Sequence, residues 1–406
     1  MNRHLSVAGN PKWKRGLIIG PSGAPKAVLA NALHALRHAP LLAGRLHYNE
    51  MTNAAEVSGD LPWNKAGSAF RAWTDADDCL FAEWLQRQAI SVKPSDAALA
   101  AQTIALEMPY HPVRAYLKGL QWDGVPRLHN WLCTYLSVPD TQYSRSVGKK
   151  WLLSAVARVY LPGCKADAVL VLEGAQGRGK STALSILAGP WFTDRLSDIR
   201  SKDAAEELCG VWLVEIAELH SLAKADANAI KAYLSRATDR YRPSYGRRSV
   251  TVPRQCVFAA TVNPDSGYLK DATGGRRFWP VECGMIDLPA LRFDRDQIWA
   301  EALAAYKRGE TWWLDEDGEL LAQHEQADRY QGDAWSEKIA DYVNSRTEVT
   351  VSAILDELGV SMAHRTTAHS IRVSRSLTAL GFKKTRTNRA GSRPWVYRRQ
   401  MFSSQS

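Results

Sequence analysis

The chain has 406 residues, 45% hydrophobic and 23% charged, which suits two or three globular domains. It holds no run of 18 apolar residues, its opening MNRHLSVAGN lacks a signal-peptide core, and its six cysteines form no C-x-x-C pair. No membrane span is expected, the scattered cysteines fit reduced thiols better than a disulfide framework or a zinc site, and a soluble, unexported, cytoplasmic protein is expected. The net charge of +10 is unevenly placed: Ser361–Ser406 carries ten Lys or Arg and no acid, so the rest is neutral. A neutral body with a basic tail calls for a polyanionic partner, nucleic acid above all.

Near the start, GLIIGPSGAPKAVLANAL (Gly16–Leu33) imitates a phosphate site, with an apolar strand, glycines, a lysine and a helix. Counted from Gly20, however, the required second glycine is Pro25 and the residue after Lys26 is Ala27. Proline removes a backbone donor and alanine cannot hold a metal, so this segment reads as a loop-to-helix junction. His34 and His38, four apart with no acid between, read as a helix-surface pair. Residues 1–105 are expected to form a small, mainly helical α+β domain. KAVLANALHALRHA and DDCLFAEWLQRQA are its helices and RLHYNEMTNAAEVSG its hairpin. Residues 106–165 read as a helical collar, broken at WDGVP and closed by SRSVGKKWLLSAVARVY. From 166 to 330, short strands alternate with helices, the sign of an α/β core. DEDGELLAQHEQADRYQGD reads as a helix leading out of it.

Within that core, AVLVLEGAQGRGKSTALSILAG supplies strand, loop and helix in order, and Gly174–Ser181 fits G-x-x-x-x-G-K-[ST] at every fixed position. Backbone amides of such a loop curl around phosphate, and the helix N-terminus adds its dipole. The expected ATP site is Gly174, Ala175, Gln176, Gly177, Arg178, Gly179, Lys180, Ser181 and Thr182. Lys180 reaches the β/γ phosphates and Ser181 ligates Mg²⁺. About 30 residues on, GVWLVEIAEL offers Glu215 as the acid that holds magnesium or orients water, with Glu218 as a second acid. RQCVFAATVNP ends an apolar strand at Asn263, placed to hold the attacking water. TGGRRFWPV adds Arg276 and Arg277, which read either as a structural fork or as an arginine finger supplied to a neighbouring subunit.

Between the acid strand and the Asn strand lies IKAYLSRATDRYRPSYGRRSVTVPRQ. Its interleaved cations and aromatics, among them Lys231, Arg242, Tyr245, Arg247 and Arg248, suit a surface that tracks and stacks single-stranded DNA. Residues 335–406 read as three helices and two strands, the order of a winged helix. In the third helix Ile371, Val373, Leu377 and Leu380 face the core, and Arg372 and Arg375 face out. With Lys383, Lys384 and Arg386 on the wing, this arrangement suits double-stranded DNA.

Taken together, HPVRAYLKGLQWDGVPRL, VGKKWLLSAVARVYLPGCKAD, VLEGAQGRGKST, GVWLVEIAEL, IKAYLSRATDRYRPSYGRR and GGRRFWPVECG resemble signatures of the virulence-associated protein E family, over roughly Pro109–Trp313. That family comprises P-loop ATPases of phages and mobile elements, related to superfamily 3 helicases. The resemblance implies an α/β fold with an AAA+-like P-loop ATPase core of superfamily 3 type, between the N-terminal region and the winged helix. It makes Gly174–Thr182 Walker A, Val211–Glu218 Walker B, Asn263 the sensor, and Arg276 or Arg277 the finger or sensor arginine. Lys231–Arg248 becomes the hairpin that enters a ring's channel. It further implies a homo-oligomeric ring, commonly a hexamer, that hydrolyses Mg·ATP and moves 3′ to 5′ on DNA. Two departures stand out: Glu215 is followed by Ile216 rather than a second acid, and the first hundred residues are too few for a primase-polymerase domain. Priming would then fall to a separate primase or to host replication proteins. An ATPase switch that melts or marks DNA without processive unwinding is the alternative; a small-molecule kinase explains neither the arginine pair nor the basic tail.

Overall fold

A computed structural model describes residues 12–65, 67, 69–196, 199, 201, 203–217, 227–241, 249–263, 275–329, 335–386 and 395–399. The N-terminal unit builds a four-stranded sheet from β1 (Leu46–Asn49), β2 (Ala54–Ser58), β3 (Phe70–Ala72) and β4 (Pro109–Tyr110), in the order β3-β2-β1-β4. The expected hairpin is β1–β2, paired from Leu46↔Val57 to Asn49↔Ala54. Helices Leu29–His38, Asp75–Arg87 and Pro94–Ala105 contribute Leu36, Phe81, Leu85 and Ala101 to one core with Leu46 and Val57. β3 and β4 were not expected, and β4 joins this sheet parallel to β1 from beyond residue 105.

The glycine turn near the start is closed on itself. Ile19 bridges Pro25, and the buried Asn31 side chain takes the Ile18 N–H (2.8 Å) while donating to the carbonyls of Ile18 (2.9 Å) and Lys26 (2.8 Å).

The central unit is a five-stranded, wholly parallel sheet of β5 (Val169–Glu173), β6 (Phe192–Thr193), β7 (Leu213–Ala217), β10 (Val257–Val262) and β11 (Phe278–Glu282), ordered β11-β5-β10-β7-β6. β8 (Thr238–Tyr241) and β9 (Val250–Pro253) form a separate antiparallel pair. β5 is apolar up to its final Glu and buried throughout because both faces are covered. Leu170, Leu172, Leu213 and Ala259 pack against helices Gln142–Tyr160, Lys180–Ala188 and Leu288–Lys307. Val171, Val214, Phe258 and Ala260 pack against Ile230 and Tyr233. Pro280 is tolerated because β11 is an edge strand.

Two expectations change here. The segment read as a collar shares the sheet's core, with the Trp151 indole donating to the Phe258 carbonyl and the Trp212 indole to that of Ala155, both at 2.9 Å. Helix Glu316–Asp328 does not lead out: Ala322 is buried in the core and Gln326 donates to the Phe278 carbonyl at 2.8 Å. The N-terminal unit sits against the same body. Gln255 donates to the Glu50 carbonyl (2.8 Å), Gly210 to that of Met51 (3.0 Å), and Arg114 pairs with Glu50 (3.0 Å).

The last unit has helices Ser336–Asn344, Val351–Glu357 and Thr367–Ala379 and a sheet of β12 (Glu348–Val349), β14 (Trp395–Arg399) and β13 (Phe382–Arg386) in that order. Ile339, Ile354, Leu355, Val373, Leu377 and Phe382 form its core. Leu380 leaves the expected inward row; it follows the helix as its C-cap and is exposed. The side chain of Ile371 lies outside the described residues. Among the described residues no helix is long and apolar enough to cross a membrane.

Candidate functional site

All five strands of the central sheet run the same way, so their carboxyl ends share one edge, where open parallel sheets bind ligands. The turn after β5 lies there. Gly174 (φ +148), Gly177 (φ +79) and Gly179 (φ +84) hold backbone conformations that side chains resist. A Cβ at Gly174 would lie 3.1 Å from the Cys283 carbonyl, and one at Gly179 would lie 3.2 Å from Leu288, whereas Gly177 faces open space. Ala175–Arg178 are exposed. Among the described residues, none of their backbone N–H groups has a partner.

Lys180 opens the following helix and is 7% exposed. Its Nζ donates to the carbonyls of Gly174 (2.5 Å) and Ala175 (2.9 Å). Burial lowers its pKa and pushes the neighbouring Cys283 thiol up to about 12. Ser181 donates from Oγ to Glu215 Oε1 at 2.7 Å, joining the loop to β7. Thr261 Oγ1, on β10 between them, donates to the same oxygen at 2.7 Å. Glu215 is 1% exposed, and its Oε2 has no partner among the described residues. A buried carboxylate oxygen left in this way is costly unless something else meets it. Asn263 is exposed just past β10, adjoining Val262, whose carbonyl accepts from the Gly174 N–H at 3.3 Å. Thr182 is exposed on the first turn of the helix.

Thr261 and Arg329 are additions to the residues expected from the sequence. Arg329 pairs with Glu173, the last residue of β5, and with Glu325, each at 2.6 Å. Thr261 had a readable signal, a lone hydroxyl in an apolar strand; Arg329 had none.

The two arginines separate. Both lie in the turn Gly275–Arg277 that enters β11, and Phe278 pairs in register with Val169. They therefore stand at the amino edge of the sheet, about 16 Å from the loop at ~3.3 Å per residue. Arg277 is held by Asp167 (3.0 Å) and Ser235 (3.0 Å). Arg276 is exposed and makes no hydrogen bond or ion pair with the described residues. Beside it opens a cavity of about 430 Å³ lined by Trp279, Trp312, Trp313, Leu314 and Ala322.

Of the expected DNA contacts, Lys231 lies on helix Ala227–Leu234. Arg242, Tyr245, Arg247 and Arg248, like Glu218, lie outside the described residues. In the last unit Lys383, Lys384 and Arg386 are exposed on β13, and the latter two sit 4.7 and 4.6 Å from the half-exposed Trp395 ring. Arg372 does not simply point outward: it lies 3.9 Å over the Trp335 ring. The Arg375 side chain is outside the described residues.

A family model described as the virulence-associated protein E-like domain matches residues 117–331, just over half of the chain. The chain belongs to this family. The virulence-associated protein E-like stretch takes in the loop, Glu215, Thr261, Asn263, both arginines and Arg329, and the resemblance read from Pro109–Trp313 holds. No curated protein matches the chain. Solved apo structures of the NrS-1 C-terminal region, 10–11% identical, cover 87% of this chain and 96% of theirs, with TM-scores of 0.44–0.46.

Proposed function

We propose that this virulence-associated protein E-like chain is a Mg²⁺-dependent ATPase that works on DNA, a helicase or replication initiator of a phage or mobile element. The reading gives the central unit an AAA+-like core of superfamily 3 type and the last unit a winged helix. One observation carries it: the glycine turn, the buried Lys180 and the Ser181–Glu215–Thr261 cluster meet at the carboxyl edge of one parallel sheet.

The residues present fit the group they would hold. Open amides at Ala175–Arg178 suit phosphate oxygens. Lys180 would exchange two loop carbonyls for the β/γ phosphates. Ser181 Oγ and Glu215, whose Oε2 lacks a partner, would hold Mg²⁺, which when bound neutralises charge on those oxygens. Thr261 keeps the Glu215 carboxylate in place, and Asn263 would position water.

Arg276 stands too far away to serve its own loop, so the finger role falls to a second copy's loop and Arg277 becomes its brace. A contact joining opposite edges of one sheet is head-to-tail and generates a ring when the rotation closes. The deciding experiment measures ATP hydrolysis with and without single-stranded DNA for wild type, Lys180→Ala, Arg276→Ala and Arg277→Ala. DNA-stimulated hydrolysis that Lys180→Ala and Arg276→Ala abolish, with ATP still bound by the latter, is expected. Hydrolysis indifferent to DNA would reduce the chain to a nucleotide switch, and no ATP binding would overturn the reading.

A further inference from the structure

The sheet of the last unit carries an aromatic ring that the unit's own core does not use. Along the paired strands β13 and β14, side chains alternate between the two faces. On one face Phe382 and Tyr397 are buried in the core, and the same face continues outward as Lys384, Arg386 and Trp395. Arg386 stands directly opposite Trp395 in register, and Trp395 is 50% exposed. Lys384 and Arg386 reach its ring from β13, at 4.7 and 4.6 Å. On the other side β12 pairs only with Tyr397 and Arg398, so no strand runs beside Trp395 there. Glu348, the one acid in the three described strands, pairs with Arg398 at 2.8 Å. Neither Lys384 nor Arg386 has a carboxylate partner among the described residues.

We propose that Trp395 stacks on an unpaired base of DNA while Lys384 and Arg386 hold the phosphates beside it. The inference rests on the DNA reading above and deepens it, naming the form of DNA that this sheet selects. Charge chooses the class of partner: Ser361–Ser406, with ten Lys or Arg and no acid, meets a polyanion. The ring chooses the form. Cations meet the phosphates of single strands and duplexes alike, and the grooves of a duplex offer a side chain base edges only. The faces of paired bases are closed by their neighbours in the stack, whereas a single strand can turn a base onto an aromatic ring. A large ring half in water, with cations along one side and no strand along the other, suits that contact.

The test uses the full-length chain and three DNAs of one sequence: a single strand, the same strand with abasic positions, and a duplex closed by hairpins at both ends. Melting curves show whether Trp395→Ala and Trp395→Phe fold. In filter-binding titrations Trp395→Ala should weaken single-strand binding roughly 5- to 150-fold, the range for losing one base–aromatic stack. Trp395→Phe, which keeps a ring, should retain most of the affinity. The abasic strand and the closed duplex should bind wild type and both variants equally well. A single strand carrying 5-iodouracil should photo-cross-link to Trp395 itself, located by peptide mass spectrometry, and the same base inside the closed duplex should not. If Trp395→Ala does not fold, the position of that cross-link decides. Single-strand affinity unchanged in Trp395→Ala, an equal loss on the abasic strand, or equal cross-linking from the closed duplex would overturn the stacking and leave the DNA reading in place. Wild type that binds none of the three DNAs would overturn the DNA reading and the inference with it.

Discussion

The turns Gly20–Lys26 and Gly174–Lys180 share glycines, a closing lysine and a helix beyond, yet their backbone groups have opposite fates. In the first, the Gly20, Gly23 and Lys26 amides are spent on the carbonyls of Ala24, Gly20 and Ile18, the Asn31 side chain ties Ile18 to Lys26, Lys26 is exposed, and the helix starts only at Leu29. In the second, three glycines adopt φ values that turn the amides outward, the lysine is buried, and a carboxylate from another strand meets the next residue. Glycines and a lysine do not make a phosphate cradle. On the reading proposed above, the second turn becomes one through donors left unpaired by the fold and an acid supplied from elsewhere in the sheet.

Substitutions in pairs test that contrast. The largest expected effect concerns the arginine that the proposed reading supplies to a second copy's loop: Arg276→Ala should cost roughly 10³–10⁵ in hydrolysis rate with ATP binding retained. Arg277→Ala should act through its lost Asp167 and Ser235 contacts and lower the melting temperature. Equal effects of both on rate alone would erase the distinction between them. Next, Lys180→Ala should reduce hydrolysis by about 10²–10³-fold, as removal of a transition-state donor does, while Lys26→Ala should change nothing measurable. Thr261→Val, which removes a donor to Glu215 without changing shape much, should lower the rate about tenfold and raise the Mg²⁺ concentration needed for half-maximal rate. Smallest is the glycine pair. Gly23 and Gly177 both have φ +79 and open surroundings, so either change to Ala should cost about 1 kcal/mol in denaturant titrations; only Gly177→Ala should also weaken nucleotide binding.

A separate expectation concerns the seam between the N-terminal unit and the core. His111 accepts the Arg114 N–H at Nδ1, so its Nε2 carries the proton donated to Gln255 at 2.6 Å. Burial holds its pKa down to about 4. The unfolded chain therefore binds the extra proton first, and the stability this residue contributes is present above pH 6.5 and lost as pH falls toward 4. His111→Asn, which keeps a capping side chain, should flatten the melting temperature over that window. An unchanged pH profile would place the acid sensitivity elsewhere.

Much of this arrangement was legible because it is local. The loop, its flanking strand and helix, Glu215, the β1–β2 hairpin and the three helices and last two strands of the final unit all follow from periodicity and turn chemistry within a few residues, whereas β12, between the first two of those helices, was not expected. What escaped depends on strand order. Thr261 reaches Glu215 only because β10 lies between β5 and β7, which no stretch of sequence announces. Arg276 and Arg277 are indistinguishable as neighbours; Asp167 and Ser235, from distant segments, separate them. Helix Glu316–Asp328 looked like an exit because it is charged, and the few residues that pin it, Ala322 and Gln326, carry no special pattern.

The tryptophans divide by environment in a way that makes the molecule its own optical reporter. Trp131, Trp151, Trp212 and Trp299 are fully buried, and the Trp212 ring, at the foot of the strand bearing Glu215, sits 4.2 Å from Trp299. Trp313 and Trp395 stand half in water, one beside Arg276 and the other among the cations of β13. Blue-edge emission therefore follows the interior beside β7, while iodide reaches the red-edge emitters first. Loss of iodide quenching reports the covering of these exposed rings, and Trp313→Phe or Trp395→Phe tells which of the two is covered.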